Sequence, residues 1–175
     1  FNSRNIRRKQ IPDAMLAFRA FLDSLPKEKA DKCKMILHTE LVTDHGTDLG
    51  KIKEYFFDGV YPNAIKFSTQ TLSREGLNYL YNLADVQILL TSNEGWGLTL
   101  TEALLSGTPI IANTTGGMQD QMRFEDDKGE WFTPSSDVPS NHRGTYKKHG
   151  KWAFPVYPAT RSIQGSPPTP YIFDD

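Results

Sequence analysis

Residues 92–111 read SNEGWGLTLTEALLSGTPII, and the reading of this stretch decides the fold. It follows residues 86–91, VQILLT, an apolar and partly β-branched run with the length and composition of a buried strand. A loop with Gly95 and Gly97 comes next. From Leu98 the spacing turns helical, with Leu98, Thr101, Leu104 and Leu105 at offsets of three and four, and Gly107 stands where a left-handed residue would end the helix. Residues 109–112, PIIA, begin another short apolar strand. The order is strand, glycine loop, helix, strand.

A helix entered through a glycine loop points several unpaired backbone N–H groups, and the positive end of its dipole, at whatever lies beyond the strand. That is a site for an anion. Glu94 lies in the loop and Glu102 about one turn into the helix. A carboxylate beside a phosphate would repel it, so both are better used to accept hydrogen bonds from neutral hydroxyls, as on a sugar or a ribose. Phosphate at the helix start with hydroxyls on either side describes a nucleotide-sugar.

The stretch resembles the donor-binding motif of retaining glycosyltransferases of the GT-B class, family four. There two glutamates separated by seven residues bracket a Gly-aromatic-Gly-Leu turn. The match runs through Glu94-Gly95-Trp96-Gly97-Leu98, then Glu102-Ala103, then Gly107 and Pro109; Trp96 replaces the family's usual phenylalanine. The resemblance implies a donor sugar held by Glu94, Gly95, Trp96 and Gly97, and a ribose held by Glu102. It places the diphosphate on Gly97 and Leu98 at the helix start, together with Arg4 and Lys9, which keep the spacing of the family's phosphate-binding arginine and lysine. Glu94, Arg4 and Lys9 are then the expected catalytic residues, the two cations stabilising charge on the departing diphosphate. A UDP- or GDP-sugar is implied as substrate, with no cofactor. Cations and a helix dipole can do this work without a metal, and the chain has no Asp-x-Asp motif.

Length and composition bound the rest. A chain of 175 residues fits one domain. Net charge is −1 with 23% charged residues, which indicates neither a nucleic-acid binder nor an acidic tail. The only cysteine, Cys33, permits no internal disulfide, so a reducing, cytoplasmic setting is the default. No apolar run approaches a membrane span, no signal-peptide pattern opens the chain, and membrane association is not indicated. Phe1 leads straight into what reads as the end of a strand, which suggests a fragment or processed chain. By resemblance this is the C-terminal, donor-binding half of a GT-B enzyme, and the acceptor, a glycan or other molecule, would be met by an N-terminal domain absent here.

Toward the N-terminus, Arg4, Arg7, Arg8 and Lys9 fall in a loop before a helix. A solvated loop is the ordinary meaning of such a run. Position favours more, because the loop leaves the carboxyl end of a first strand, where an open α/β sheet binds its ligand. The next helix opens at Pro12 and Asp13, carries Met15, Phe18, Leu22 and Leu25 on its apolar face, and ends at Pro26. Strands are expected over residues 34–41 and 64–68, with helices over 48–57 and 73–84, the last N-capped by Ser73 with Leu77, Leu80, Tyr81 and Ala84 inward. The alternation implies a Rossmann-like α/β fold, a parallel sheet with helices on both faces. His38 and His45 have no partner at ligand spacing and are read as structural or surface residues. Ser68, Thr69 and Leu72 end the third strand; the resemblance implies that they cradle the nucleotide base, and a plain turn before Ser73 is the competing reading.

Gly116 and Gly117 follow the fifth strand, where the family has a Gly-Gly turn near the donor's sugar and phosphates; a plain turn is the alternative. The family commonly has a glutamate a few residues on, and this chain has Gln119 and Asp120. Residues 129–134 resemble the segment after that turn. The expected organisation is a nucleotide-sugar-binding domain over residues 1–134 and an irregular, Pro-rich extension over 135–175. Beyond about Phe124, the cations Arg143, Lys147, Lys148 and Lys151 with the aromatics Trp131, Tyr146, Trp152 and Phe154 could touch an acceptor glycan, a partner or a membrane, though an irregular excursion packed on its own domain is the commoner meaning. Two other functions stay open: a non-catalytic nucleotide-sugar-binding module, and a Rossmann-type oxidoreductase. The second is weakened by the absence of Gly-x-Gly-x-x-Gly from the first loop.

Overall fold

The computed structural model describes residues 1–132, 135, 140–166 and 169–175. The expected boundary at residue 134 lies outside them. Contacts divide the chain into two compact units, residues 1–71 and 72–175.

The first unit contains α1 (Ile11–Asp23), α2 (Lys27–Ala30), β1 (Met35–His38), α3 (Leu49–Phe56) and β2 (Ile65–Ser68). In α1, Ile11, Ala14, Met15 and Leu22 are buried at spacings of three, four and seven, so one stripe of the helix supplies the core. Pro12 sits in the first turn, where its missing N–H costs nothing, and Pro26 lies past the end. Asp48 caps α3 by accepting from the Lys51 amide at 3.0 Å. β1 and β2 pair in parallel from Met35↔Ile65 to His38↔Ser68. Phe1 and Asn2 lie along β1, with an isolated parallel bridge between Asn2 and His38, as the reading of Phe1 as a strand end anticipates.

The second unit contains α4 (Arg74–Leu83), β3 (Gln87–Leu89), α5 (Leu98–Leu105), β4 (Ile110–Asn113), α6 (Met118–Met122), β5 (Ala153–Val156), β6 (Arg161–Ser166) and β7 (Thr169–Asp174). Ser73 caps α4, accepting from Gly76 at 3.1 Å, and Tyr81 is the helix's buried residue. β4 lies between β3 and β5, parallel to both, and its Ile110 and Ala112 have no solvent exposure. Leu89, Leu100, Met118, Met122 and Phe124 fill the core around it. The fold is α/β with parallel strands, as expected.

Two features depart from the sequence reading. The buried face of α5 is Leu100 and Ala103, whereas Leu98 and Leu105 are 70% and 84% exposed. The offsets of three and four are right, but the stripe that faces the core is rotated on the helix. Residues 135–175, expected to be irregular, contribute β5 to the parallel sheet and the antiparallel hairpin β6–β7. Pro155 sits in β5, which is paired with β4 in the β3-β4-β5 order and so is an edge strand, where a missing N–H is tolerated.

Candidate functional site

α5 starts at Gly97, whose φ of +86° puts it in the left-handed region. A side chain there would be strained, and its Cβ would lie 3.2 Å from Met118 Cγ, so glycine lets the chain turn sharply from loop to helix. The helix has no side-chain cap at this end, and Leu98 beside it is exposed. Glu94 is half-buried in the preceding loop. A Cβ on Gly95 would meet no atom within 4 Å, so the space beside it is open. Glu102, on the exposed surface of α5, accepts a 2.6 Å hydrogen bond at Oε2 from the hydroxyl of buried Tyr81 on α4. That bond orients the carboxylate and satisfies the phenol of a buried side chain.

The loop is fixed from two sides. Gly116 has φ +49°, and a Cβ on it would fall 1.9 Å from the Glu94 carbonyl oxygen; one on Gly117 would fall 2.3 Å from that of Gly95. Gly117 N–H donates to Gly95 O at 3.1 Å. Backbone therefore packs directly on backbone. On the other side, Gln121 of α6 donates to Trp96 O at 2.6 Å and Gly97 O at 3.3 Å, and accepts from Thr101 Oγ1 at 2.9 Å. Trp96 Nε1 in turn donates to Thr101 Oγ1 at 2.9 Å.

In the first unit, Arg4 is exposed and Lys9 is buried in a 3₁₀ turn, Arg7–Lys9. Asn5, 1% exposed, shapes this loop. Its amide donates to Thr47 O at 2.7 Å and Leu41 O at 3.2 Å, and its Oδ1 accepts from Thr47 N–H at 3.2 Å. Ser68 Oγ is hydrogen-bonded to His38 Nδ1 at 2.9 Å, and its carbonyl accepts from Thr39 N–H, so both groups serve the strand ends. Thr69 is exposed and Leu72 is half-buried. Among the described residues no group of three or more His, Cys, Asp or Glu is placed to hold a metal ion. No helix among them is long and apolar enough to cross a membrane.

Residues 61–140, which contain this glycine loop and its helix, match the sequence profile of the family described as Glycosyl transferases group 1. That match covers 80 of the chain's 175 residues. The chain is 26% identical over 111 residues to an uncharacterized glycosyltransferase of Methanocaldococcus jannaschii, a match covering 62% of this chain and 28% of that protein. The chain thus spans little more than a quarter of the relative's length.

Solved structures agree on the fold. Apo OtsA superposes with a TM-score of 0.56 at 17% identity, over 66% of this chain and 28% of the other. The GtfA/B complex gives 0.51 at 23% identity, over 78% and 24%. A structure described as trehalose-6-phosphate from E. coli bound with UDP-2-fluoro glucose gives 0.51 at 19% identity, over 66% and 29%. This chain matches one part of each, between 24% and 29% of their length.

Within the matched stretch the structure brings Glu94, Gly95, Trp96, Gly97, Gly116 and Gly117 together as two interlocked turns. Gln119, near the position of the family's glutamate, is turned inward and accepts from Asn141 N–H at 2.8 Å. Three residues escaped the sequence reading as parts of this arrangement. Tyr81 and Gln121 act through hydrogen bonds to residues about twenty positions away, and the only signal was a phenol on an apolar helix face. Asp174, 3% exposed, is the third. It accepts from Thr115 Oγ1 at 2.6 Å and pairs with Arg161 at 2.6 Å, while its own N–H donates to Ser92 O and its carbonyl accepts from Asn113 Nδ2. The end of β7 therefore sits on the carboxyl ends of β3 and β4, just before the Glu94 loop.

Proposed function

We propose that this chain is the donor-binding half of a retaining glycosyltransferase that moves a sugar from a nucleotide-diphosphate sugar to an acceptor. The observation that carries the reading is the uncapped start of α5, entered through Gly97, with Glu94 before it and Glu102 one turn inside, held by Tyr81. An uncapped helix start offers N–H groups to a phosphate, and the two carboxylates offer acceptors to sugar and ribose hydroxyls. In this reading Gly97 and Leu98 bind the diphosphate through backbone, Glu94 with Gly95 and Trp96 holds the sugar, and Glu102 holds the ribose. Gly116 and Gly117 keep the loop in place beside the donor. Sequence spacing assigns Arg4 and Lys9 to the diphosphate, and the resemblance assigns Ser68, Thr69 and Leu72 to the base, mainly through backbone groups and an apolar contact from Leu72.

The ligand in the matched complex, a UDP-sugar analogue, supports a donor of this class. Calorimetric titration with UDP-, GDP- and ADP-sugars tests the reading, with Arg4→Ala, Lys9→Ala and Glu102→Ala alongside and with magnesium present or absent. Saturable binding to one base, weakened in the variants and indifferent to magnesium, is the expected result. Binding that is equal in wild type and all three variants would overturn the assignment of these residues.

A further inference from the structure

All three tryptophans of the chain line one groove, of about 470 Å³, on the second unit. Trp96 is 45% exposed, Trp131 58% and Trp152 38%. Large aromatic faces left in contact with water mark a surface that is covered by something else. The groove leaves the donor loop at Trp96 and runs along α5 and α6 to Thr108 and Trp152, which precede β4 and β5. It therefore ends at the amino edge of the sheet, away from the strand ends that carry Glu94.

The polar residues in the groove say what kind of ligand fits. Asp120 has one carboxylate oxygen, Oδ1, buried with no hydrogen-bond partner among the described residues. A donor from a ligand, met by rotation of the side chain, would satisfy the carboxylate. The Arg123 guanidinium lies 5.9 Å from the centre of the Trp131 ring. One anion and one cation in the same groove leave it without net charge, which favours neither an anionic nor a cationic ligand. An aromatic cage for a quaternary ammonium would not hold an arginine over one wall. A neutral ring with C–H faces for the tryptophans and hydroxyls for Asp120 and Arg123 satisfies every group, because a hydroxyl both donates and accepts. Gln121 is committed: its backbone carbonyl accepts from Trp152 Nε1 at 3.0 Å and its side-chain amide holds the donor loop, so it fixes two of the walls.

We propose that this groove is a second carbohydrate site, which binds a segment of neutral oligosaccharide by stacking on Trp131 and Trp152 and by hydrogen bonds to Asp120 and Arg123. The groove shares Trp96 and Gln121 with the donor loop, but the four residues that would bind the oligosaccharide carry no part of the donor reading.

The test is tryptophan emission of the 175-residue chain, titrated with maltopentaose, cellopentaose and chitopentaose. A saturable change with at least one of them at millimolar concentration or below is expected. Trp131→Ala removes one exposed stacking face and is expected to weaken that affinity about tenfold, with Trp131→Phe recovering part of it. Asp120→Ala is expected to weaken it without changing the circular dichroism spectrum. UDP-sugar titration of the same variants should be unchanged, which separates this site from the donor site. No saturable change with any of the three sugars overturns the proposal, as does a sugar affinity indifferent to both Trp131→Ala and Asp120→Ala. Saturation by choline or by a proline-rich peptide, with none by the sugars, overturns it in favour of that ligand.

Discussion

The hydroxyl of Tyr81 reaches Glu102 from the buried face of α4, so deleting that one oxygen frees the carboxylate to turn into solvent. Tyr81→Phe is expected to weaken nucleotide-sugar binding by about 0.5–1.5 kcal/mol, the worth of an orienting hydrogen bond, with little change in melting temperature. Glu102→Ala should cost about 1–3 kcal/mol of the same affinity, and calorimetry reads both; an unaltered affinity in Glu102→Ala would sink the ribose assignment. Asp120 makes a pH prediction. Burial raises its carboxyl above the ordinary value of 3.8, so the folded protein keeps that proton to higher pH than the unfolded chain does. The stabilising difference is fully present below the ordinary carboxyl range and is lost as pH rises through the raised value. Asp120→Asn should remove that slope and leave the protein more stable at neutral pH by up to about 1 kcal/mol, a figure kept small because the side chain is only partly buried. Urea midpoints at acidic and neutral pH check it; parallel pH profiles for the two proteins would refute it. At this scale the sequence revealed residues whose role follows from type and spacing, such as Glu102 and Ser73. It concealed Tyr81 and Gln121, because a hydrogen bond between distant positions leaves no periodic trace.

Gly116 shows how elements, rather than single groups, build the site. Gly116→Ala would place a methyl 1.9 Å from the Glu94 carbonyl at a φ of +49°, so either the turn or the donor loop must move. The expected loss is about 2–5 kcal/mol, read from urea unfolding, and donor affinity should fall with it. The hairpin makes a second prediction through the ion pair of Arg161 and Asp174. Asp174 is nearly inaccessible while Arg161 is partly exposed, so Arg161→Ala strands a buried carboxylate and should cost about 3 kcal/mol. Asp174→Ala, which leaves the arginine able to reach water, should cost less than that in the same denaturation assay. Element existence was legible wherever one face is apolar and the period holds, as in α1 and α4. The rotated stripe of α5 was not, since Leu98, Leu100, Leu104 and Leu105 offer two overlapping apolar faces and only packing against Met118 and the sheet chooses between them. Nor was β5, whose Pro155 argues locally against a strand and is admitted only at an edge.

Across the whole molecule, each unit has its own core: Met15, Leu22, Leu37 and Phe57 in the first, Leu100, Ile110, Met118 and Phe124 in the second. Scanning calorimetry should therefore give a calorimetric enthalpy larger than the van't Hoff value, with a nucleotide-sugar altering the transitions unequally; a single two-state peak would contradict it. The Rossmann-like character was readable over most of the chain from its alternation of apolar strands and amphipathic helices. The division near residue 71 was not, because no shift in composition marks it. The seat of Asp174 on β3 and β4 also sets an order of assembly. Its bonds to Asn113 and Thr115 span 61 and 59 positions, and that of Asn93 to Ile172 spans 79. During synthesis β3 and β4 can meet long before those partners leave the ribosome, so Asn113 can bond Thr91 O early while the hydroxyl of Thr115 waits, hydrated, for the last residues of the hairpin. Pairings of such long sequence separation close late, so the seat of the hairpin on β3 and β4 is expected to be among the last parts of the second unit to form.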